Sequence, residues 1–488
     1  MPSVPPETTY TTQGTEYFEK RTLRRHARVL HLWATGVAAV ISGDFFGWNF
    51  GLLSGGFGGM FLAVAIMTVM YAGLCLSIAE MSAALPHSGG AYSFARTAMG
   101  RWGGYLTGLA ENMEYILTPA TIVVGIGGYL GAIFGTPKSF EPLWWLAAYA
   151  VFVMLNVRGV ELAFRFSVFI AAAALLVLVV FWVAAIPHLQ FQRFALDVPP
   201  SPGHSAFLPR GIPGILACLP FALWLYLGIE QLPLAAEESH DPGRDMPRAL
   251  ICGLLTLVVC SFLTVCVSAA IAPGATKLGA SDEPLILGFQ TVFATKAWTK
   301  TLAVVACIGL IASFHTIIFA YGRQIYSLSR AGYFPPFLSE THSVHKTPVR
   351  SLIAGSALGL LAALGIYLTG QKSSVGATLL NMAVFGAVIA YILQMASFIL
   401  LRRNLPNAKR PYLSPLGITG AVTSAGIAAV TLVTLFRNPD YSRGVWGAAI
   451  WFLCGIAYFA IYARHRLVLS PEEEFANHHE KKPHQKVK

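Results

Sequence analysis

Twelve apolar stretches, each long enough to cross a bilayer, follow one another between residues 31 and 463. A hydrocarbon core about 30 Å thick takes about 20 apolar residues in helical form. The sequence predicts spans over 31–55, 58–84, 102–134, 142–157, 163–186, 212–236, 248–272, 301–329, 350–369, 374–401, 413–436 and 445–463. Segments 249–276 and 373–401 carry no charge at all. A buried helix of a soluble protein imitates one such run, not a dozen. Composition agrees: 55% of the 488 residues are apolar and 12% are charged, against about 25% charged in a soluble domain. A disordered chain, a nucleic-acid binder and an ordinary cytosolic enzyme are thereby excluded. The seven cysteines lie inside apolar runs, as small core residues rather than a disulfide scaffold.

The charges report orientation. No secretory signal peptide is visible, and residues 1–30 end in the basic stretch Lys20, Arg21, Arg24, Arg25 and Arg28. With the N-terminus inside, 25 of the 34 Lys and Arg residues fall on inside segments and nine on outside ones. The reverse topology inverts that ratio, so both termini are expected on the cytoplasmic side of the cell membrane. The outside loops are 187–211 and 273–300, the second with a short amphipathic helix near 285–294. The tail after Arg466 is polar and is expected to be disordered. Its histidines His478, His479 and His484 are read as solvated. The acidic and basic residues of 237–240 are read as solvated ion pairs.

Two spans carry glycines and an acid at mid-depth. Span 1 reads Ile41-Ser42-Gly43-Asp44-Phe45-Phe46-Gly47-Trp48-Asn49, and span 6 reads Trp224-Leu225-Tyr226-Leu227-Gly228-Ile229-Glu230 before Pro233. An unwound turn frees backbone groups that lipid cannot satisfy and that a bound solute can. Interrupted helices at matched positions of two halves point to a transport site. Each buried acid costs several kcal/mol to place in a bilayer. Asp44 lies roughly 20 Å past His31 at helical rise. Glu111 and Glu114 on span 3 lie roughly 14 and 18 Å past Trp102, one turn apart on one face, and repel unless a proton or cation intervenes. No Lys or Arg falls between His31 and Arg96, or between Arg248 and Lys277, so the cavity is acidic and selects cations. Phe45, Phe46, Trp48, Trp224 and Tyr226 gather at the breaks, either as faces for an ammonium or as packing. His315, mid-way along span 8, either relays protons or packs. Metal-ligand clusters, nucleophile–base constellations and phosphate loops are not found. Neither cofactor nor metal is expected, and an enzyme is set aside.

The stretch 79–92, AEMSAALPHSGGAY, resembles a signature of the amino acid–polyamine–organocation (APC) superfamily. Residues 236–249, AEESHDPGRDMPRA, resemble its segment after span 6, and 323–348 its loop after span 8. The resemblance implies an all-α LeuT-like fold. Two inverted five-helix repeats (31–186 and 212–401) would flank a site between broken helices 1 and 6. Helices 11 and 12 (411–464) would lie outside the repeats, between tails 1–30 and 465–488. Within the superfamily, 41–49 and 228–238 are most similar to ethanolamine permeases.

Amino acid members resemble one another in a neutral span 1 break, where free N–H groups meet the substrate carboxylate. Asp44 occupies that neighbourhood here. A carboxylate about 4 Å from it loses roughly 4 kcal/mol at an effective dielectric near 20; an amine without a carboxylate loses nothing. The expected activity is import of ethanolamine by alternating access, coupled to protons. A permease for amino acids or polyamines is the alternative, and a non-transporting sensor a further one. The ammonium is expected between Asp44, Glu114 and Trp224, with the hydroxyl read near Ser42, Gly43 and Gly228, and with Tyr226, Trp48, Glu111 and Tyr115 around it. By resemblance, Glu114 and Tyr115 match a substrate-facing acid and its neighbour, Trp224 a gating aromatic, and Glu230 an acid linked to proton sensing. Glu111 and His315 complete the candidates for coupling or gating. Several proton-coupled relatives carry a lysine in span 5; here the stretch is Ala171-Ala172-Ala173-Ala174. A proton on Glu111, Glu114 or Glu230 would substitute, or transport would be uniport or exchange. Membrane lipids are the other expected partners; nucleic acid is not one.

Overall fold

The structure is a computed structural model that describes residues 11, 13, 15–281, 283–293, 299–368, 375–437 and 442–480. Among these the chain is helical, with two isolated bridges and no strand. Ten helices are long and apolar enough to cross a membrane. Two shorter apolar segments, Val29–Phe45 and Gly211–Leu223, sit where the sequence places its broken spans. The protein is a multi-pass membrane protein.

The main helices in chain order are α1 (Val29–Val40), α2 (Ser42–Phe45), α3 (Gly51–Ala84), α4 (Gly90–Phe134), α5 (Glu141–Val157), α6 (Val160–Ala185), α7 (Gly211–Leu223), α8 (Pro242–Ala269), α9 (Thr299–Arg330), α10 (Val349–Leu368), α11 (Val375–Asn404), α12 (Gly417–Arg437), α13 (Ser442–Ile461) and α14 (Pro471–Glu480). Helix α3 is divided at Gly56, whose φ of 68° lies in the left-handed region. That glycine separates the end of the first span from the second, as the predicted boundary between 55 and 58 requires. Gly100, with φ 75°, divides α4 in the same way. Helix α8 begins at Pro242 rather than at 248. Proline is pre-organised for a first helical turn, and Asp245 accepts hydrogen bonds from the Ser239 hydroxyl and the Asp241 N–H. The expected outside helix is Pro284–Phe293; Ala294 lies outside the described residues.

The core is a buried bundle in which α4 packs against α9 and α11, and α1 against α6, α8 and α9. Helices α5, α10, α12 and α13 expose most of their apolar surface, as lipid-facing helices do. Both terminal segments lie on one face and are joined, the Thr11 N–H donating to the Leu467 carbonyl at 3.0 Å.

Two expectations at that face need correction. The tail is ordered over α14: Glu473 is buried, pairs with buried Arg96 at 2.6 Å, and accepts from Tyr92 and Tyr333 at 3.0 and 2.9 Å. Polar composition gives no sign of partners hundreds of residues away. His484 lies outside the described residues, as do the side chains of His478 and His479. Nor are all the ion pairs at 237–240 solvated. Glu238 meets Arg323 at 2.9 Å with both side chains 0% exposed, and Glu237 meets Arg330 at 2.6 Å. Burial pushes the Glu237 carboxyl up, but the Arg330 charge and hydrogen bonds, with the Ser88 N–H, outweigh it and hold it at about 2. Asp241 and Arg244 do form an exposed pair.

Candidate functional site

The two breaks pack directly on one another. Helix α1 ends at Val40; α2 follows for one turn, and the chain turns at Gly47 with φ 96°. On the other side α7 ends at Leu223, and Gly228 turns with φ 110° before a 3-10 segment, Ile229–Glu238. A Cβ on Gly43 would lie 2.5 Å from the Trp224 carbonyl, so only glycine allows this approach. Trp224 lies over Gly47 and donates its indole N–H to the Phe46 carbonyl at 3.0 Å. The freed Ser42 N–H is taken up by the Ser313 hydroxyl of α9 at 3.0 Å, which itself donates to the Ala38 carbonyl at 2.7 Å. The Gly228 N–H is shared by both oxygens of Glu230, each at 3.1 Å. This is how a chain at membrane depth satisfies backbone groups that helix no longer serves.

The acids are sealed inside: Asp44 is 2%, Glu111 1%, Glu114 0% and Glu230 3% exposed. Neither carboxylate oxygen of Asp44 accepts a hydrogen bond, and the Thr264 hydroxyl beside it is also unpartnered. Its other electrostatic neighbours are Cys260 on α8 and Tyr226. A buried carboxylate that accepts no hydrogen bond is costly, and such groups in native proteins have a reason; both oxygens of Glu114 are in the same condition. The second cluster is acid against acid. Glu114 and Glu230 lie against each other, with the Tyr391 hydroxyl beside both. Glu111 accepts from Tyr115 at 3.3 Å and from Gln324 at 2.8 Å. Two carboxylates in contact away from water do not both stay ionised without a proton or cation between them.

Aromatic residues separate the two clusters. Tyr226 donates to or accepts from Thr68 at 2.7 Å and stacks on Tyr71 at 5.1 Å. Tyr71 is hydrogen-bonded to Tyr391 at 3.0 Å. The structure therefore brings together Ser42, Gly43, Asp44, Trp224 and Tyr226, and gathers Glu111, Glu114, Tyr115 and Glu230 beside them, with Gly228 joined to Glu230 through its N–H. Trp48 is buried just after the turn at Gly47. His315 lies apart, between α5, α6 and α9, with its ring nitrogens at Asn156 (3.2 Å) and the Ala163 carbonyl (3.1 Å). Its packing role is the one this geometry favours.

Sequence reasoning missed Tyr71, Tyr391, Gln324 and Thr264. Thr264 and Tyr391 lie in the two charge-free stretches, where a single polar group is the available signal. It also missed Asn49, whose amide donates to the Leu278 and Ser281 carbonyls, both at 2.8 Å, and fastens the break to the segment after α8.

The sequence model of the amino acid permease family matches residues 32–461. Curated relatives are similar along most of their length. An uncharacterised transporter of Rhizobium meliloti (strain 1021) is 28% identical over 79% of this chain and 81% of its own. A branched-chain amino acid permease of Bacillus subtilis (strain 168) is 25% identical over 91% of this chain and 94% of its own. A methylthioribose transporter of the same bacterium is 24% identical over 83% and 87%. The chain belongs to the amino acid permease family, whose members are transporters of small molecules rather than enzymes.

Proposed function

We propose that this protein is a secondary transporter that imports ethanolamine, or a closely related small amine without a carboxylate. The observation that carries the reading is Asp44, a buried carboxylate that accepts no hydrogen bond, set in the break of the first span against the break of the sixth. An ammonium supplies the missing donors and the missing charge. The Tyr226 ring and the Thr264 hydroxyl stand beside it to receive the cation and the substrate hydroxyl. A free substrate carboxylate at that place meets a like charge. Glu114 and Glu230, with one proton between them, form the coupling element, and Trp224 holds the outer half of the site shut. The fold is read as twelve spans in two inverted halves of five, with α12 and α13 outside the repeat. The excess of Lys and Arg on the face that bears both termini supports a cytoplasmic position for that face.

The relative that names a branched-chain amino acid keeps a second reading in view, an amino acid or polyamine permease of the same architecture. The relative that names methylthioribose favours a scaffold open to substrates other than amino acids. Uptake of labelled ethanolamine into proteoliposomes, competed by unlabelled ethanolamine, choline, polyamines and amino acids, separates them. Competition by ethanolamine alone supports the first reading. Strong competition by an amino acid, with none by ethanolamine, sinks it.

A further inference from the structure

A cavity of about 220 Å³ opens on the face that bears the termini, far from the acids. Three distant parts of the chain build it: the segment before α1, the turn between α5 and α6, and the loop between α9 and α10. Its charged lining is Arg24, Arg158, Arg165, His26, His345 and Glu161. Glu161 is committed to Arg165 at 2.5 Å. The side chains of Arg24 and Arg158 make no ion pair or hydrogen bond with any described residue. The first turn of α6, from Gly159, forms one wall, and its unsatisfied N–H groups and positive helix end add to the field. Drop-in organic ligands fill roughly 300–1,000 Å³, so this space suits a small anionic group. Phosphate is the chemistry that arginines and a helix start bind together.

The position of the arginines identifies where the phosphate comes from. Arg158 follows exposed Val151 and Met154 at seven and four residues, on the lipid-facing side of α5. Arg165 sits between exposed Leu162 and Phe169, at spacings of three and four, and that stripe continues through Leu176, Val180 and Val183. Two arginines thus cap two apolar stripes where they leave the membrane, and Arg24 comes over them from the N-terminal segment. We infer that this cavity is a binding site for the headgroup of an anionic phospholipid whose acyl chains lie along the exposed faces of α5 and α6. Occupancy ties the segment before the first broken span to the α5–α6 turn.

The test is the melting temperature of purified full-length protein in detergent, with added dioleoylphosphatidylglycerol, dioleoylphosphatidylcholine or inorganic phosphate. The site predicts a saturable rise with phosphatidylglycerol alone. It predicts loss of that rise in R24Q/R158Q/R165Q, whose side chains are exposed, and its retention in R403Q, which changes an exposed arginine outside this cavity. Equal rises in the triple variant and the wild type overturn the inference. So does an equal loss in R403Q, which reports diffuse surface charge. A rise of the same size with inorganic phosphate removes the lipid from the assignment. If the triple variant does not fold, Arg158→Gln alone carries the comparison: a wild-type phosphatidylglycerol response in it overturns the site, and a weakened one supports it.

Discussion

Asp44 and the pair Glu114–Glu230 present two different chemical problems, and the structure solves them in different places. Both oxygens of Asp44 and both of Glu114 accept no hydrogen bond; Asp44 has the Thr264 hydroxyl for a neighbour, whereas Glu114 has a second acid, Glu230, and lacks a positive charge or a proton. Removing a charge partner from a buried ammonium–carboxylate contact costs about 2–5 kcal/mol, at least roughly thirtyfold in affinity. Asp44→Asn is therefore expected to weaken ethanolamine binding by that factor while the protein still folds, measured by equilibrium binding to purified protein. Glu114→Gln acts elsewhere. It is expected to leave ethanolamine binding within about tenfold and to flatten the pH dependence of uptake, since an amide beside Glu230 shares no proton. A wild-type pH profile in Glu114→Gln removes the acid pair from coupling. Glycines 43 and 228 were legible as a break because each stands one or two residues before an acid. The tyrosines that separate the two clusters were not: Tyr71 and Tyr391 come from α3 and α11, 320 positions apart, and no local pattern announces their meeting.

The helices are arranged so that strain sits at the breaks and ion pairs sit at the terminal face. Gly228 adopts φ 110°, which a Cβ resists. Gly228→Ala is expected to cost about 1–3 kcal/mol through that strain. Gly43→Ala drives a Cβ to 2.5 Å from the Trp224 carbonyl and pushes the breaks apart. Both should lower the melting temperature, and Gly43→Ala should lower uptake more than expression. Helix α14 is held by Glu473 on Arg96, buried on both sides. Glu473→Ala strips a buried guanidinium of a buried carboxylate, at a cost of about 3–5 kcal/mol, read as a lower melting temperature and as faster proteolysis of the tail. Span boundaries were legible because Gly56 and Gly100 punctuate apolar runs. The order of α14 was not, because a short segment rich in Glu and His reads as solvated until its partners on α4 are known.

At the scale of the whole molecule, the bundle closes the acids from solvent and gathers ion pairs on one face. The Glu237–Arg330 pair does not act as a pH switch. Arg330 holds Glu237 at about 2 against an ordinary value of 4.5. Its contribution to stability is complete above 4.5 and is lost only as the pH falls towards 2. Between about pH 5 and 8, the destabilisation caused by Glu237→Gln should therefore be constant, checked by melting temperature across that range. A change in that interval would place the titrating group at this face rather than at the buried acids. The multi-pass class was legible from hydropathy and charge distribution, because every span pays separately for its place in lipid and leaves its mark in the sequence; the transporter class came from the two interrupted spans and the family motifs. The substrate was not legible in the same sense, because it depends on what one buried carboxylate faces. Calorimetric titration of wild-type protein and Asp44→Asn with ethanolamine and with an amino acid tests that dependence most directly. The account predicts saturable ethanolamine binding in the wild type, lost in Asp44→Asn, and no amino acid binding in the wild type. Ethanolamine binding that is equal in the two proteins would contradict it.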